Sequence, residues 1–478
     1  MRGQEPAAGP IAPVAEPRRV QAWRAADAPA LFGGSSLRAT GLPQLARLAW
    51  LALRTALDAG WGSLGDLFVS RAARAERRGS REARRVRALV ATLGALKGAF
   101  AKAGQFGALR YDAMPRGLRE GFATLQDRVP PLRFDAVRAV VEAELGAPLT
   151  KHFARFEPEP LGAASIAQAH RAWLADGRVV VVKVQYPWLA VSLGADLAIL
   201  RAGLWLASLR RPRVGADRAR LFDEFAAGLR EELDFAREAA VAREIAANLA
   251  GDDRVVVPAV IDSLTTRRVL TMSHHPAVRI TDREALRRLG VDPREVLEIL
   301  ARAYAKQVFV DGLFHADPHP GNLFVLDEPE ARARPRVLFV DFGLSKRLSP
   351  DLRQEFRLAI FALLRADLEG FLAGMERLRM IAPGAREGVA LAVASMFERI
   401  RAEGAAPLAL SGDRVLALKD EAKRLLEETP GLQLPNDLLL YAKTVSHLFA
   451  LGQEIAPEVD LMKLSVPYLL RFLATPDG

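Results

Sequence analysis

Two short acidic motifs in the second half of the chain carry residue types that phosphoryl transfer needs. Asp317 stands five residues before Asn322, and Asp341 follows an apolar run at 337–340 and precedes Phe-Gly. In such sites one Asp handles the attacking group, while an Asn and a second Asp hold Mg²⁺ against nucleotide phosphates. Carboxylate and amide oxygens suit this hard cation. The joint spacing predicts Asp317 as catalytic and Asn322 and Asp341 as metal ligands, and disfavours two unrelated turns rich in Asp and Pro.

A lysine on a strand and a glutamate on a helix must accompany these motifs if they bind a nucleotide. Lys183 lies in the β-branched run 179–185, which predicts a strand. A Lys inside a strand is costly unless it is paired or binds phosphate. Glu232 and Glu238 lie in a pattern that predicts one helix over 230–240. A Lys on an exposed strand edge and Glu side chains on a solvated helix face are the alternatives.

Four further motifs narrow the class of protein. They are Lys-Ala-Gly-Gln at 102–105, Gly-Ala-Ala-Ser-Ile-Ala-Gln-Ala-His at 162–170, Lys-Val-Gln-Tyr-Pro at 183–187 and Glu-Leu-Asp at 232–234. Together they resemble the KxGQ, Ala-rich loop, strand Lys and ExD motifs of the UbiB/AarF family of atypical protein-kinase-like proteins. The resemblance runs over most of the chain, and the combination is specific to that family.

The resemblance implies roles for individual residues in ATP binding. It pairs Lys183 with Glu238 to position the phosphates, alongside Asp317 in catalysis. The segment 270–275 looks like the strand and hinge that border adenine. The residues implied in nucleotide binding are Gly162, Ala163, Ala164, Ser165, Lys183 and Met272. The family's loop often begins with Ala where this chain has Gly162, and Gly widens the accessible backbone space.

The KxGQ motif implies a lid that ordinary kinases lack. In the family, the N-terminal extension packs over the groove beside the nucleotide. Lys102 and Gln105 would then project toward the ExD carboxylates Glu232 and Asp234, as a buried Lys requires. A covered groove disfavours peptide substrates and favours ATP hydrolysis or a small or lipid-like acceptor.

Composition bounds the chemistry further. The chain has 478 residues, half of them hydrophobic, and no cysteine. A large core is therefore feasible, and disulfides, thiol nucleophiles and Cys-based metal sites are excluded. Among the seven histidines, His315 and His319 fall in the motif around Asp317, where we expect them to hold the loop geometry.

Positive charge is concentrated on the N-terminal side. The first 120 residues hold 20 Lys and Arg against 9 Asp and Glu, while the whole chain has a net charge of +10. Eight arginines between Arg71 and Arg87 follow an apolar segment at 45–69 that contains two tryptophans. This pattern is typical of a helix on an anionic membrane, and an amphipathic helix packed on the body is the alternative. No known module or aromatic-interleaved basic motif indicates nucleic acid as a partner.

No transmembrane helix is predicted. Arg47, Arg54, Asp58 and Asp66 interrupt the apolar segment at 45–69, which is expensive for a spanning helix. The first twenty residues lack the apolar stretch of a signal peptide. We therefore expect a cytoplasmic protein that contacts the inner face of a membrane peripherally.

The resemblance predicts an α+β, bilobal protein-kinase-like fold with a small β-containing N-lobe and a mainly helical C-lobe. A helical extension with the KxGQ motif precedes the two lobes. The expected segments are a disordered stretch at 1–36, the basic helical extension at 37–131, the N-lobe at 132–275 and the C-lobe at 276–478. We expect N-lobe strands around the Ala-rich loop, around Lys183 and at 255–257.

The resemblance implies an ATP-binding atypical kinase or ATPase that uses Mg²⁺. It also implies support of ubiquinone (isoprenoid quinone) biosynthesis or membrane lipid homeostasis. The expected partners are ATP, an anionic membrane surface, and quinone-biosynthesis enzymes or lipid intermediates. One alternative is a small-molecule phosphotransferase, against which the KxGQ and ExD motifs argue. The other is a nucleotide-switched, membrane-associated scaffold without turnover.

Overall fold

The computed structural model of the chain describes residues 45–50, 71–96, 98–110, 116–123, 131–208, 215–402 and 423–474. The predicted N-terminal segment 1–36 lies outside the described residues. So does most of the apolar segment at 45–69 that was predicted to lie on a membrane.

The extension before the N-lobe is helical in its described parts. Phe100 and Phe122 are buried with Val90 and Leu93 in one apolar cluster that joins its helices. The extension contains α1 (Arg71–Leu96), α2 (Gly98–Leu109) and α3 (Arg116–Ala123). The arginine run thus lies on α1. No helix in the described ranges is long and apolar enough to cross a lipid bilayer.

Helix α2 packs closely on the N-lobe helices α6 (Pro187–Ser208) and α7 (Gly215–Glu232). Gly98 has a φ of +52°, and a Cβ there would lie 3.1 Å from Cδ2 of Leu189 on α6. The left-handed backbone and the close approach both favour glycine at this point. Phe106 of α2 packs on Phe225 of α7, with ring centroids 5.6 Å apart. Helix α2 is therefore fixed by apolar packing.

A four-stranded antiparallel sheet in the order β1-β2-β3-β5 forms the N-lobe. Val180, Val182 and Val184 of β3 are buried in a cluster with α4 residues, while Val181 and Lys183 alternate onto the other face. The apolar face anchors the strand and leaves Lys183 for the site. The elements are α4 (Phe134–Leu145), α5 (Leu149–His152), β1 (Arg155–Ala163), β2 (Ala167–Trp173), β3 (Val179–Gln185) and β5 (Val269–Ser273).

The single helix predicted over 230–240 is wrong, because two helices meet there. Helix α7 ends at Glu232 and α8 (Phe235–Leu249) begins three residues later. Asp234 has an extended backbone, and its side chain accepts hydrogen bonds from the backbone N–H groups of Ala236 and Arg237. This is an N-cap, which satisfies donors that an uninterrupted helix would not leave open.

A second sheet in the order β4-β9-β8-β6 lies in the C-terminal half. We expected a strand at 255–257 within the N-lobe, but β4 pairs in parallel with β9 instead. Burial explains this, since Val255 packs in the same core cluster as Leu297, Leu323 and Val337. The strands are β4 (Val255–Val256), β6 (Ala277–Arg279), β8 (Leu323–Leu326) and β9 (Val337–Phe339).

Helices make up most of the rest of the C-lobe. Helix α10 continues into a π-helical turn at Lys306–Asp311, an irregularity that often marks functional sites. The short strands β7 (Leu313–Phe314) and β10 (Lys346–Arg347) pair next to the segment 315–322, the predicted catalytic loop. The helices are α9 (Arg283–Leu289), α10 (Pro293–Ala305), α11 (Pro350–Leu364), α12 (Leu368–Arg377), α13 (Arg386–Ala402), α14 (Asn436–Ile455) and α15 (Leu461–Ala474). The architecture is α+β, as predicted.

Candidate active site

Lys183 pairs with two carboxylates, that of Glu238 in its own lobe and that of Asp341 in the other lobe. Its Nζ donates to both carboxylate oxygens of Glu238, at 2.9 and 3.0 Å, and to Oδ1 of Asp341 at 2.9 Å. Glu238 lies in the first turn of α8 and its side chain is only 1% exposed, whereas that of Asp341 is 47% exposed. A buried carboxylate thus holds the strand lysine, which reaches the carboxylate predicted to bind Mg²⁺.

The charges in this cluster support one another. Burial disfavours the cation, but the carboxylates of Asp341 and Glu238 raise the pKa of Lys183 above its ordinary value. Desolvation alone would raise the pKa of Asp341, yet the ammonium of Lys183 lowers it to about 2. Burial raises the pKa of Glu238 to about 7, although Lys183 opposes that rise. Asp341 is therefore an anion at neutral pH, the state that a metal ligand requires.

His315 ties the catalytic loop to the segment after β9. The side chain is fully buried. Its Nδ1 lies 3.1 Å from the hydroxyl of Tyr304, and its Nε2 lies 3.1 and 2.9 Å from the carbonyl oxygens of Val340 and Asp341. Because carbonyls only accept, Nε2 carries the proton and Nδ1 accepts from the tyrosine. These bonds fix the loop that carries Asp317 relative to Asp341.

Asp317 and Asn322 contact each other within that loop. Nδ2 of Asn322 donates to the backbone oxygen and to Oδ2 of Asp317, each at 3.2 Å. Its Oδ1 accepts no hydrogen bond from the described residues, so this oxygen is available to a cation. With Asp341 it gives one amide and one carboxylate oxygen, which fits Mg²⁺ shared with nucleotide phosphates. The described ranges hold no group of three or more Asp, Glu, Cys or His side chains that could bind a metal ion by themselves.

The turn between β1 and β2 is the predicted phosphate-covering loop. Gly162 and Ala163 are the last residues of β1, and Gly162 pairs with Ala169 of β2. Ala164 is exposed in the turn, whereas Ser165 is buried. A Cβ at Gly162 would meet no atom within 4 Å, and its φ lies outside the left-handed region. The backbone here therefore does not require glycine.

Met272 lies on the same sheet as Lys183. It pairs with Val181, and the two-residue period of a strand puts Val181 and Lys183 on one face. Met272 is buried at 6% exposure. The three side chains therefore lie on one face of the sheet.

Lys102 fastens the extension to the N-lobe. Its Nζ donates to Oε1 of Glu232, and the two side chains are 15% and 14% exposed. Lys102 is a further cation that lowers the pKa of Asp341, with a smaller effect than Lys183, so it lies near the site. Gln105 lies on the same helix, α2, and is partly buried.

Asp234 has different contacts from Glu232. It caps α8, and its Oδ2 lies 3.3 Å from a guanidinium nitrogen of Arg267. The break between the helices is held from β3, because Nε2 of buried Gln185 donates to the carbonyl of Leu233 at 2.9 Å. The two glutamates thus lie on separate helices, and Glu232 pairs with Lys102 while Glu238 pairs with Lys183.

The chain is similar in sequence to a known protein family. The ABC1 atypical kinase-like domain matches residues 124–374. A protein of Xanthomonas axonopodis pv. citri named probable protein kinase UbiB is 32% identical over 450 residues, covering 89% of this chain and 78% of that protein. The Arabidopsis thaliana chloroplast protein ACTIVITY OF BC1 COMPLEX KINASE 8 is 31% identical over 401 residues, covering 78% of this chain and 52% of that protein. The chain belongs to the ABC1 (UbiB/AarF) family.

Among solved structures, the complex of Rv3197 with erythromycin from Mycobacterium tuberculosis is similar to this ABC1 protein. It has 25% sequence identity and a TM-score of 0.49, covering 76% of this chain and 93% of that chain. Membership in the ABC1 family confirms the resemblance and the kinase-like α+β fold predicted from the sequence. A kinase-like family implies the use of ATP.

The site of this ABC1 protein includes a lysine that sequence reasoning missed. Nζ of Lys443, on α14, donates to Oδ1 of Asp317 at 3.0 Å. Burial alone would raise the pKa of Asp317, but Lys443 holds it below its ordinary value. The two residues are 126 positions apart and Lys443 lies beyond the matched domain. No motif spacing could have joined them, and the helical pattern around Lys443 was the available signal.

Proposed function

We propose that this ABC1 protein binds ATP with Mg²⁺ and acts as an atypical kinase or ATPase. The observation that carries the proposal is the convergence of Lys183, Glu238 and Asp341 with Asp317 and Asn322. Both lobes contribute to this set. It supplies a cation for phosphates, a carboxylate for the attacking group and two oxygen ligands for a metal.

Positioning and electrostatics account for the expected chemistry. Lys183, oriented by Glu238, binds the inner phosphates and neutralises their charge. Mg²⁺ bound by Asn322 and Asp341 would supply further neutralisation of the transferred group. Asp317 accepts the proton of the attacking hydroxyl or water. Because these groups are preorganised by buried contacts, little reorganisation accompanies the reaction.

The extension supports a restricted acceptor. The Lys102–Glu232 pair and the packing of Phe106 on Phe225 hold α2 against the N-lobe next to the site. We infer that water, a small molecule or a lipid headgroup is the acceptor, since a folded protein substrate needs an open groove. In our proposal, α2 is the lid over the site, and Gln105 and Asp234 belong to it. Asp234 contributes by capping the N-terminus of α8.

The wider role we propose is support of ubiquinone (isoprenoid quinone) biosynthesis or membrane lipid homeostasis. Relatives named UbiB and the arginine-bearing helix α1 support it. In this proposal the protein lies at the inner membrane face as a peripheral protein. Quinone-biosynthesis enzymes or lipid intermediates would be its partners there.

ATP hydrolysis by the purified full chain tests the enzymatic proposal. We would measure it with and without Mg²⁺ and anionic liposomes, in wild type, in Asp341→Asn and in the exposed control Asp176→Asn. We expect Mg²⁺-dependent turnover that rises on liposomes, disappears in Asp341→Asn and persists in the control. Binding of Mg²⁺-nucleotide without turnover would contradict the enzymatic proposal and favour the nucleotide-switched scaffold.

Complementation tests the wider role. A strain that lacks its own UbiB protein would receive wild type or Asp317→Asn, and its ubiquinone content would be measured. We expect wild type to restore the quinone and the variant not to. Equal restoration by both would mean that chemistry is dispensable, and no restoration by wild type would argue against the quinone role. A new phosphorylated metabolite in the wild-type strain would favour a small-molecule phosphotransferase.

A further inference from the structure

Helix α14 contacts the catalytic loop at two consecutive positions. Nζ of Lys443 donates to Oδ1 of Asp317 at 3.0 Å, and Oγ1 of Thr444 lies 3.0 Å from the carbonyl oxygen of Ala316. Neighbouring residues of the helix thus bind neighbouring residues of the loop. Thr444 is 2% exposed and Lys443 is 17% exposed. The helix fixes both the backbone and the carboxylate of this part of the loop.

Apolar packing holds α14 in this place. Leu438 is buried in one cluster with Phe314 and Ala316, which lie just before Asp317. The ring of Tyr441 meets that of Phe314 edge-on, with centroids 6.3 Å apart. Lys443 is therefore presented from a docked helix, which fixes its backbone position relative to Asp317.

The carboxylate of Asp317 needs a cation from outside its own loop. The segment 315–322 contains no Lys or Arg. Asp317 is mostly buried, and Asp341 acts on it as a like charge. Around it the described residues also place His315 on the same loop and the Tyr304 hydroxyl from α10. A buried carboxylate without a close cation is costly, and Lys443 meets that need.

We propose that Lys443 is a positioning residue, which holds the Asp317 carboxylate in a fixed plane for phosphoryl transfer. Oδ1 is bound by Lys443 at 3.0 Å and Oδ2 by Nδ2 of Asn322 at 3.2 Å. Each carboxylate oxygen has two lone pairs, so one remains on each for the attacking group. The inference rests on the proposed function, because it assigns Asp317 to the reaction.

This role makes α14 part of the site. Lys443 and Thr444 lie beyond 124–374, the residues that the ABC1 domain matches. The site is thus complete only when a helix from outside the matched domain packs against it. A displacement of about 1 Å in a reacting group can cost about a hundredfold in rate, so this docking has a measurable consequence.

Three variants of the full chain test the proposal. Lys443→Met removes the charge and keeps the length, Lys443→Arg keeps the charge, and Lys463→Met is a control at an 85% exposed lysine on α15. We expect Lys443→Met to lower kcat for ATP hydrolysis by about tenfold to a hundredfold, with KM for ATP unchanged. Lys443→Arg should recover much of the rate, and Lys463→Met should match wild type.

A double variant separates positioning from folding. If Lys443 acts through Asp317, Lys443→Met should cost nothing further in an Asp317→Asn background, measured by single turnover of labelled ATP. An equal loss in both backgrounds would mean a structural role and would overturn the proposal, as would a rise in kcat or no change in Lys443→Met. Wild-type turnover is the reference. Its absence would overturn the proposed function itself, which these Lys443 outcomes cannot do.

Discussion

Lys183 and Asp341 form a direct ion pair, in which Nζ of Lys183 lies 2.9 Å from Oδ1 of Asp341. The cation predicted for the phosphates and the carboxylate predicted for the metal therefore neutralise each other across the two lobes. In the proposed function, a phosphate group would take the place of the carboxylate at Lys183, and a metal ion would take the place of the ammonium at Asp341. We infer that nucleotide and Mg²⁺ favour each other's binding, since each releases the partner that the other needs.

Loss of Lys183 should destabilise the fold through Glu238. The carboxylate of Glu238 is 1% exposed, and Lys183→Met would leave it without a cation. We expect the free energy of unfolding at about pH 8 to fall by about 3 kcal/mol, as for a broken buried ion pair. Urea denaturation measures this. Adding Glu238→Gln should recover part of the loss, and a double variant as unstable as the sum of both singles would contradict the coupling.

Local patterns predicted the strand around Lys183 and the loop around Asp317 because each depends on residues close in sequence. The break between α7 and α8 was missed, although an Asp before an apolar run is a known start signal for helices. This break is stabilised by a hydrogen bond from Gln185, which is distant in sequence, and the hydrophobic periodicity of the segment gives no sign of that bond. The placement of β4 was also missed, because its pairing with β9 depends on packing across some 80 residues of sequence.

The contact between Lys443 and Asp317 was beyond sequence reasoning for a related reason. A sequence motif reports residues at a fixed spacing along a short stretch of chain, whereas this pair depends on how α14 docks. The family resemblance did indicate that Lys102 and the ExD segment would meet, and the structure brings Lys102 to Glu232. It did not indicate that Asp234 would cap a helix instead.

Release of the Lys102–Glu232 pair should loosen the lid. Both side chains are largely buried, and in our proposal the pair holds the extension over the groove that a peptide would need. We expect Lys102→Met to raise phosphorylation of the chain itself or of an added peptide, measured with labelled ATP. Glu232→Gln should act in the same direction, and the double variant should add little because both break one contact. If neither single variant changes peptide labelling, the lid does not control acceptor access.

Asp234 should stabilise the fold mainly as a helix cap. Its side chain accepts from the backbone N–H groups of Ala236 and Arg237. We expect Asp234→Ala to lower the free energy of unfolding by about 1 kcal/mol, and Asp234→Asn to cost less because Asn caps nearly as well. Urea denaturation distinguishes the two. Equal losses would instead point to the charge, and hence to the ion pair with Arg267, as the main contribution.

His170 is held neutral in the structure by two hydrogen bonds whose directions are fixed. Its Nδ1 lies 2.8 Å from the carbonyl oxygen of Glu157, which only accepts, so Nδ1 carries the proton. Its Nε2 then accepts from Nε2 of Gln168 at 2.9 Å. The side-chain amide of Gln168 is not free to flip, because its Oε1 accepts a hydrogen bond from the backbone N–H of Leu132 at 2.7 Å. A second proton on His170 would face a donor.

The free energy of unfolding should therefore decrease as the pH is lowered, because His170 becomes protonated more readily in the unfolded chain. Burial lowers its pKa from 6.5, so the unfolded chain binds the proton first as the pH falls below that value. The stability that depends on neutral His170 is fully present above about pH 6.5. Below that pH the free energy of unfolding decreases by up to about 1.4 kcal/mol per pH unit. His274 and His275 have lowered pKa values as well, so the test is a difference. Urea unfolding at about pH 8 and about pH 5.5 should show a smaller acid loss in His170→Asn than in wild type, and equal losses would contradict the assignment.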